Sequence, residues 1–352
     1  MVSDNVAVLF FIPTGGGGAE KVSINIANIL HRAGVKVHVA FVEGGAKNVC
    51  SFLDPEIPNS LISAKSHSKR YVEIFKTINQ YRPKKVFASL TALSAVAIIC
   101  KLFFPKLKII ARQCFMPYDG SRAVNLTIKS LFRFADINIA QTDEMRAMML
   151  NYYRLPSQKV ITVHNPLDTN DIDKKVCGIV KPNTNRYHYI SVARITPAKD
   201  YPTLLKAFRI VLDSQPNATL NIFGHPDNDV ILSELKNLAA DLRLGSSVTF
   251  NGYTSNPYSE IIKSDCFVLS SITEGLPNVM LEAMYLNIPV AATKCIPFIA
   301  KTIEEGVNGY TAEVGNPQSL ATAMLNASTL SGNVSNNNFN SSVEQQLLKI
   351  FK

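Results

Sequence analysis

The chain has 352 residues, enough for two domains with a core each, and its 47 % hydrophobic and 18 % charged residues exclude a disordered chain. The apolar run 86–100 is too short to cross a bilayer, and no basic segment precedes the apolar residues 6–12 as it would in a signal peptide. The net charge of +9 is unevenly distributed along the chain: residues 1–170 hold 21 Lys and Arg against 11 Asp and Glu, and residues 171–352 hold 15 against 16. This distribution predicts an anionic partner for the first half alone.

The first half alternates between predicted strands and helices. The continuous apolar run 6–12 is typical of a buried parallel strand, and a glycine-rich turn separates it from a helix at 19–32. The pattern predicts further strands at 35–42, 85–89, 108–111, 137–140 and 160–163, and a helix at 71–81. This alternation predicts a doubly wound parallel sheet.

The second half repeats the alternation. Strands are predicted at 189–193, 219–223, 248–251, 266–270 and 288–292, and helices at 201–214, 229–242, 258–263, 277–285 and 317–328. We therefore expect a first domain at 1–168, a polar linker at 169–186, a second domain at 187–330, and a polar tail at 331–352 whose last residues can form a helix.

The expected fold class is α/β, with two Rossmann-like parallel-sheet domains facing a central cleft. Ligands of such sheets bind beyond the carboxyl ends of the strands, so candidate site residues are sought on the loops that follow strands.

The turn 14–20 (TGGGGAE) is the first such loop. Its glycines let backbone N–H groups approach a phosphate or a sugar at the amino end of a helix, which favours anions. A dinucleotide site is an alternative, since Gly15 and Gly17 match the start of its fingerprint and Glu43 ends the second strand. Glu20, however, stands where that fingerprint needs glycine and would repel a pyrophosphate. A glycine-rich turn without a ligand is the third interpretation.

Two loops of the second half carry charged residues. Arg194 follows the predicted strand 189–193 and Lys199 comes five residues later, so both cations can neutralise a diphosphate without a metal. Asp200 is predicted to cap the next helix. Glu274 follows the strand 266–270, and Glu282 lies on the helix that begins near Pro277. The amides at this helix start can hold a phosphate, and the two carboxylates can accept hydrogen bonds from sugar or ribose hydroxyls.

Together, GGGGAEKV, SVARITPAKDYPTLLKAF and EGLPNVMLEAM resemble glycosyltransferase family 4, the retaining nucleotide-sugar glycosyltransferases of GT-B architecture. The resemblance is specific over residues 187–317, and in the first half it rests on 15–20. It implies transfer of a hexosyl or N-acetylhexosaminyl group from a UDP- or GDP-sugar, most often UDP, with retained anomeric configuration and no metal or other cofactor. The implied acceptor is a glycan or polyprenol-linked oligosaccharide of bacterial surface polysaccharide synthesis, such as lipopolysaccharide.

The resemblance also implies roles for individual residues. Arg194 and Lys199 match the diphosphate-binding pair, and Glu274 matches the acid that contacts the donor sugar. Glu282 matches the glutamate that holds the ribose hydroxyls. The remaining donor-binding positions are Gly16, Gly17, Gly275, Leu276 and Pro277.

Three departures from this pattern are visible in the sequence. Many members carry a histidine where this chain has 110–115, so Cys114 or Arg112 takes that place and no catalytic histidine is assigned. The loop 293–297 lacks the glycines that many members show. The patterns Asp171–x–Asp173 and Asp227–x–Asp229 resemble metal-binding DxD motifs of another architecture, but Asp229 is predicted to cap a helix and no metal is expected.

Two other functions fit the same residues: a UDP-sugar 2-epimerase of GT-B architecture, which needs no acceptor, and a non-catalytic nucleotide-sugar-binding subunit. The donor-side charged residues favour the transferase over both.

A membrane surface is the expected anionic partner of the first half, and nucleic acid is disfavoured because no nucleic-acid-binding motif is present. Cysteines without a CxxC pair indicate reduced thiols. We therefore expect a cytoplasmic protein on the inner face of the cell membrane. The cations between 63 and 109 are Lys65, Lys69, Arg70, Lys76, Arg82, Lys84, Lys85, Lys101, Lys106 and Lys108.

Overall fold

The computed structural model describes residues 6–15, 17–44, 47–63, 66–114, 122–182, 186–330 and 338–352. The strands are β1 Val8–Pro13, β2 Val37–Val42, β3 Asn59–Ile62, β4 Lys85–Ala88, β5 Lys108–Arg112, β6 Ile137–Ala140, β7 Val160–Thr162, β8 His188–Val192, β9 Thr219–Phe223, β10 Val248–Gly252, β11 Cys266–Leu269, β12 Val290–Thr293 and β13 Gly309–Ala312. The helices are α1 Gly18–Arg32, α2 His67–Tyr81, α3 Thr91–Cys100, α4 Arg122–Leu131, α5 Asp143–Asn151, α6 Thr169–Val176, α7 Tyr201–Ser214, α8 Asp229–Asp241, α9 Tyr258–Ile261, α10 Asn278–Tyr285, α11 Pro297–Thr302, α12 Pro317–Ser328 and α13 Asn338–Phe351. The chain divides into unit 1, the described residues up to Asp168 together with α13, and unit 2, the described residues from Thr169 to 330.

Unit 1 is built on a seven-stranded parallel sheet in the order β3-β2-β1-β4-β5-β6-β7. The strand β1 is buried along nearly its whole length, as the apolar run of its sequence predicts. Helix α1 packs its apolar face on this sheet through Val22, Ile26 and Leu30. The strand order reverses between β1 and β4, which is the switch point of the sheet.

Unit 2 repeats this architecture with a six-stranded parallel sheet in the order β10-β9-β8-β11-β12-β13. Here the order reverses between β8 and β11. The loops that follow these two strands are therefore neighbours at the carboxyl edge of the sheet. The two sheets confirm the predicted pair of doubly wound domains.

Two strands and several helices were missed by the sequence pattern. The strands β3 and β13 lie at sheet edges, and β3 buries only Ile62, so neither shows a continuous apolar run. The apolar run 86–100 is divided between β4 and α3. Among the described residues, no helix is long and apolar enough to cross a bilayer.

The prediction of a linker over 169–186 is wrong for its first eight residues, which form α6 in unit 2. This helix is polar but amphipathic: it buries Ile172 and pairs Lys175 Nζ with Asp171 Oδ2 at 2.8 Å. Its end is fixed by the Asn256 amide, which donates to the Lys175 carbonyl at 3.0 Å.

The prediction of a separate polar tail is also corrected, because α13 is part of the core of unit 1. Val343, Leu347 and Phe351 recur every four residues and are buried. The Phe351 ring stacks on Phe10 of β1, with centroids 6.1 Å apart. The final helix expected at the end of the chain is confirmed as Asn338–Phe351.

Gly309 offers a direct test of the β12–β13 pairing. A Cβ at this position would collide with the backbone carbonyl of Val290, which is its partner in the sheet. We expect Gly309→Ala to lower the free energy of unfolding of unit 2 by about 3 kcal/mol, since strand backbone cannot move aside as a flexible side chain can. Urea unfolding measures this cost. The control Gly44→Ala, whose Cβ would meet the Val42 carbonyl at 3.8 Å, an ordinary contact distance, is expected to cost less than about 0.5 kcal/mol. Equal stability of both variants would contradict the pairing.

Candidate active site

Backbone and side-chain hydrogen bonds join the loops after β8 and β11. The Ile272 N–H donates to the Ala198 carbonyl at 2.8 Å, and the Ser270 hydroxyl donates to the Lys199 carbonyl at 2.7 Å. The two loops are therefore fixed against each other before any ligand binds. This arrangement brings together Lys199 and Glu274, which lie 75 residues apart in the sequence.

The ion pair between Lys199 and Glu274 joins these two loops at the carboxyl edge of the unit 2 sheet. Lys199 Nζ lies 2.5 Å from Glu274 Oε1, and the side chains are 23 % and 9 % exposed. The Ser271 hydroxyl donates to the same carboxylate oxygen at 2.6 Å. A partly buried ammonium and a positioned carboxylate, side by side, can bind a phosphate and a hydroxyl group of one ligand.

Arg194 lies on the same loop as Lys199 but points elsewhere. Its side chain is 75 % exposed and approaches Asp227 at 3.7 Å. The backbone beside it is held, because the Ile195 N–H donates to the His225 carbonyl at 2.8 Å and the Asp227 N–H donates back to Ile195 at 3.0 Å. The guanidinium is therefore a solvated cation on a fixed backbone, available to an anionic ligand.

The start of α7 confirms the structural role of Asp200. Its carboxylate accepts a hydrogen bond from the Thr203 N–H at 3.3 Å, as a helix cap does. Asp200 also has a positive φ of 47°, which allows the sharp turn after Lys199.

Glu282 is buried within α10, with 2 % of its surface exposed. The Tyr258 hydroxyl of α9 donates to its Oε1 at 3.4 Å. Helix α10 begins at Asn278, one residue later than the sequence predicts. Pro277 is therefore the N-cap of the helix and precedes its first turn. Gly275 and the buried Leu276 complete the loop between Glu274 and this helix.

The glycine turn of unit 1 carries a carboxylate of its own. Gly17 is the N-cap of α1, and a Cβ there would lie 2.5 Å from Glu20 Oε2, so the Glu20 side chain folds back against the turn. This is the third helical position, from which a glutamate reaches back to the start of a helix. A dinucleotide pyrophosphate at this turn would meet that carboxylate. Gly16 lies outside the described residues, and its role and that of Gly17 as donor contacts stay predictions.

Arg112 and Cys114 both lie in a polar cluster at the carboxyl edge of unit 1. Arg112 is 2 % exposed, and its Nη1 donates to Cys114 Sγ at 3.1 Å. Its Nη2 donates to Gln141 Oε1 at 3.0 Å and to Asn165 Oδ1. Burial raises the pKa of the Cys114 thiol; the Arg112 charge opposes that shift, and the Glu20 charge adds to it. Cys114 is therefore a neutral thiol at physiological pH and a poor nucleophile.

Two family models match the chain on either side of the boundary between the units. Residues 16–171 match Glycosyltransferase Family 4, and residues 177–341 match Glycosyl transferases group 1. The chain belongs to glycosyltransferase family 4. Its two parallel-sheet units are the Rossmann-like domains of the GT-B class.

Relatives of this glycosyltransferase extend across most of its length. A glycosyltransferase of Methanocaldococcus jannaschii is 28 % identical over a stretch that covers 64 % of this chain and 59 % of that protein. The N-acetylgalactosamine-N,N'-diacetylbacillosaminyl-diphospho-undecaprenol 4-alpha-N-acetylgalactosaminyltransferase of Campylobacter jejuni is 22 % identical over 89 % of this chain and 87 % of that protein. The crystal structure of Anabaena HepE in complex with UDP-glucose shares the fold, with a TM-score of 0.80, 20 % identity and 98 % coverage of both chains.

Neither DxD pattern of this glycosyltransferase forms a cluster of metal ligands among the described residues. Asp171 pairs with Lys175, and Asp173 accepts a hydrogen bond from the Tyr285 hydroxyl at 3.0 Å. The prediction that Asp229 caps α8 is wrong: Asn228 is the cap, accepting from the Ile231 N–H at 2.9 Å. Asn228 has the extended backbone that a cap requires, whereas Asp229 is already helical.

Sequence reasoning missed the polar residues that hold the site together. Ser271, Tyr258 and Asp227 contact Glu274, Glu282 and Arg194, respectively. Ser271 follows a buried strand and could have been found by that position alone. Tyr258 and Asp227 come from other loops, and nothing in their sequence context marks the contact.

Cys295 follows β12 at the carboxyl edge of the unit 2 sheet, and its thiol is half-buried. The rate at which this thiol is alkylated at different pH values tests that placement. Burial, and then the Glu274 charge, raise the pKa of its thiol to about 11. A raised thiol pKa keeps the neutral form through pH 9, so we expect iodoacetamide to alkylate the exposed Cys177 first and Cys295 slowly between pH 7 and about pH 9. Peptide mass spectrometry after timed alkylation measures both. Cys295 modified as fast as Cys177 at pH 7 would contradict the half-buried placement of its thiol.

Proposed function

We propose that this glycosyltransferase transfers a hexosyl or N-acetylhexosaminyl group from a UDP-sugar to a glycan or polyprenol-linked acceptor, with retained anomeric configuration and without a metal. The observation that carries the proposal is the Lys199–Glu274 pair on the joined loops after β8 and β11, with Arg194 on the same loop. Two cations and a carboxylate at the switch point of a parallel sheet suit a donor molecule in which a diphosphate is bonded to a sugar.

Lys199 and Arg194 are proposed to hold the diphosphate. When the bond between the anomeric carbon and the diphosphate oxygen breaks, its electron pair stays on that oxygen, and fixed cations stabilise the charge. The first N–H groups of α10 add to this stabilisation. The acceptor oxygen bonds to the anomeric carbon on the face that the diphosphate leaves, and the acceptor proton passes to the departing diphosphate oxygen.

Glu274 and Glu282 are proposed to hold the hydroxyl groups of the donor. Glu274, already oriented by Ser271, accepts from the transferred sugar, and Glu282 accepts from the two ribose hydroxyls. The backbone of Gly275, Leu276 and Pro277 lies between these two carboxylates in the chain and is proposed to flank the sugar.

The choice of donor and acceptor draws support from the relatives. HepE is described with UDP-glucose, and the Campylobacter jejuni relative is named for a diphospho-undecaprenol acceptor. A lipid-linked acceptor agrees with the positive charge of unit 1, which we propose associates with the inner face of the cell membrane as a peripheral protein.

Donor consumption by the purified protein tests this function. We expect a UDP-sugar to be consumed with membrane-extracted glycan acceptors in the presence of EDTA, and GDP-sugars to be consumed more slowly. If no UDP- or GDP-sugar is consumed with any acceptor, the transferase proposal fails. A UDP-sugar epimerised in the absence of acceptor would favour the epimerase instead.

A further inference from the structure

A basic cavity of about 670 Å³ lies at the amino edge of the sheet of unit 1, where β4 and β5 begin. Among the residues that the structure describes, six cations line it and no Asp or Glu does: Arg82, Lys84, Lys85, Lys106, Lys108 and Lys352. Arg112, at the other end of β5, lies about 13 Å away at ~3.3 Å per strand residue. The cavity is therefore separate from the carboxyl edge, where the candidate site residues lie.

The cations of this cavity repel one another without compensation from acidic side chains. None of the six pairs with a carboxylate in the part of the chain that the structure describes. Lys85 Nζ donates to the carbonyls of Ile350 and Phe351 at 3.1 and 2.8 Å. Burial, followed by the charges of Lys108 and Lys84, lowers the pKa of Lys85. An anion that entered the cavity would relieve this repulsion.

Two large apolar side chains protrude beside the cations, on the turn between α3 and β5. Leu102 is 81 % exposed and Phe103 is 65 % exposed. The turn is held to α3, since the Leu102 N–H donates to Ile99 at 3.1 Å and the Phe103 N–H donates to Cys100 at 3.0 Å. The Phe103 ring also rests edge-on against Phe75, with centroids 5.3 Å apart. The backbone thus presents both side chains to solvent in a fixed position.

We propose that this amino-edge patch, Leu102 and Phe103 together with the six cations, is the surface by which the protein docks on an anionic phospholipid membrane. The two apolar side chains enter the lipid interface, and the cavity receives a lipid phosphate. The proposal rests on the membrane association proposed above and assigns it to one edge of unit 1.

Charge complementarity selects this partner over two others. A second copy of the chain would bring six more cations against the same six, which opposes self-association through this face. A nucleic acid would match the charge but leave Leu102 exposed to water, whereas a lipid interface buries an aliphatic side chain and neutralises cations together.

Vesicle co-sedimentation of the full chain tests the assignment. We expect binding to phosphatidylcholine vesicles that contain phosphatidylglycerol, weak binding to phosphatidylcholine alone, and release as NaCl is raised, because salt screens exposed charges. Lys84→Glu/Lys106→Glu and Leu102→Ser/Phe103→Ser should each lower the partition coefficient at least about tenfold. The matched controls are Lys206→Glu/Lys236→Glu and Val180→Ser, at exposed positions of unit 2.

Thermal melting and UDP binding are measured on the same samples to establish that the variants fold. Equal binding of the patch variants and the wild type, or equal losses in the controls, would overturn the assignment. Binding to nucleic acid that competes with vesicles and is unaffected by Leu102→Ser/Phe103→Ser would overturn it in favour of a nucleic-acid surface. If vesicle binding behaves as expected while no donor is consumed, the transferase proposal fails and the docking surface stands.

Discussion

Replacing Lys199 with methionine is expected to lower kcat/KM for sugar transfer by about 10²–10³-fold, the usual cost of removing one fixed group that stabilises transition-state charge. Methionine keeps much of the side-chain length but removes the ammonium group, so the proposed diphosphate site loses its partly buried cation. Glu274 keeps its hydrogen bond from Ser271 in this variant, which limits the damage to the loop. Steady-state kinetics with a UDP-sugar measure the effect.

The control for this prediction is Lys263→Met, which removes another ion-paired lysine of unit 2. Lys263 pairs with Glu260 at 3.1 Å on the surface, and such pairs contribute little to stability or activity. Lys199→Arg should recover part of the activity because it restores the charge. A Lys199→Met enzyme with kcat/KM within about threefold of the wild type would show that the diphosphate lies elsewhere.

The second large effect is expected on nucleotide binding. Glu282→Gln should raise the Kd of UDP by about 10–100-fold, since it removes the charge from the proposed hydrogen bonds to the two ribose hydroxyls while preserving side-chain volume. The variant should also lose most of its preference for UDP over 2′-deoxy-UDP. Calorimetric titration of both nucleotides into both proteins gives the coupling between the carboxylate and the hydroxyl group.

Glu234→Gln, on the exposed face of α8, is the matched control and should bind both nucleotides as the wild type does. Because Glu282 is buried beside Tyr258, a melting curve accompanies each titration. If folded Glu282→Gln binds UDP with unchanged affinity, or if the wild type binds 2′-deoxy-UDP as well as UDP, the ribose assignment is wrong.

The alternating apolar runs were sufficient to predict the two parallel sheets, because buried strands such as β1 and β11 are nearly continuous in apolar residues. The short edge strands β3 and β13 escaped prediction since their polar faces resemble loops. Helix α13 was underestimated for a different reason. Its three buried apolar residues find their packing partners only when the chain returns to unit 1, and the local sequence does not indicate that return.

In the candidate site, too, the residues could be predicted from the sequence but their contacts could not. Arg194, Lys199, Glu274 and Glu282 could be selected because each lies on a loop after a strand, or on the helix that follows such a loop, in a recognisable motif. That Lys199 pairs with Glu274 depends on β8 lying beside β11, and the order of strands in a sheet is not the order in the sequence. That Arg194 faces Asp227 instead depends on the contact between two loops that no motif marks.

The most direct test of the proposed transfer is an NMR time course of the reaction in EDTA, with a UDP-α-sugar as donor. We predict that the first product formed carries the new glycosidic bond in the α configuration and that the rate is unchanged when MgCl₂ replaces EDTA. A first product of β configuration, or transfer that begins only after a divalent metal is added, would contradict the proposed retaining, metal-independent transfer.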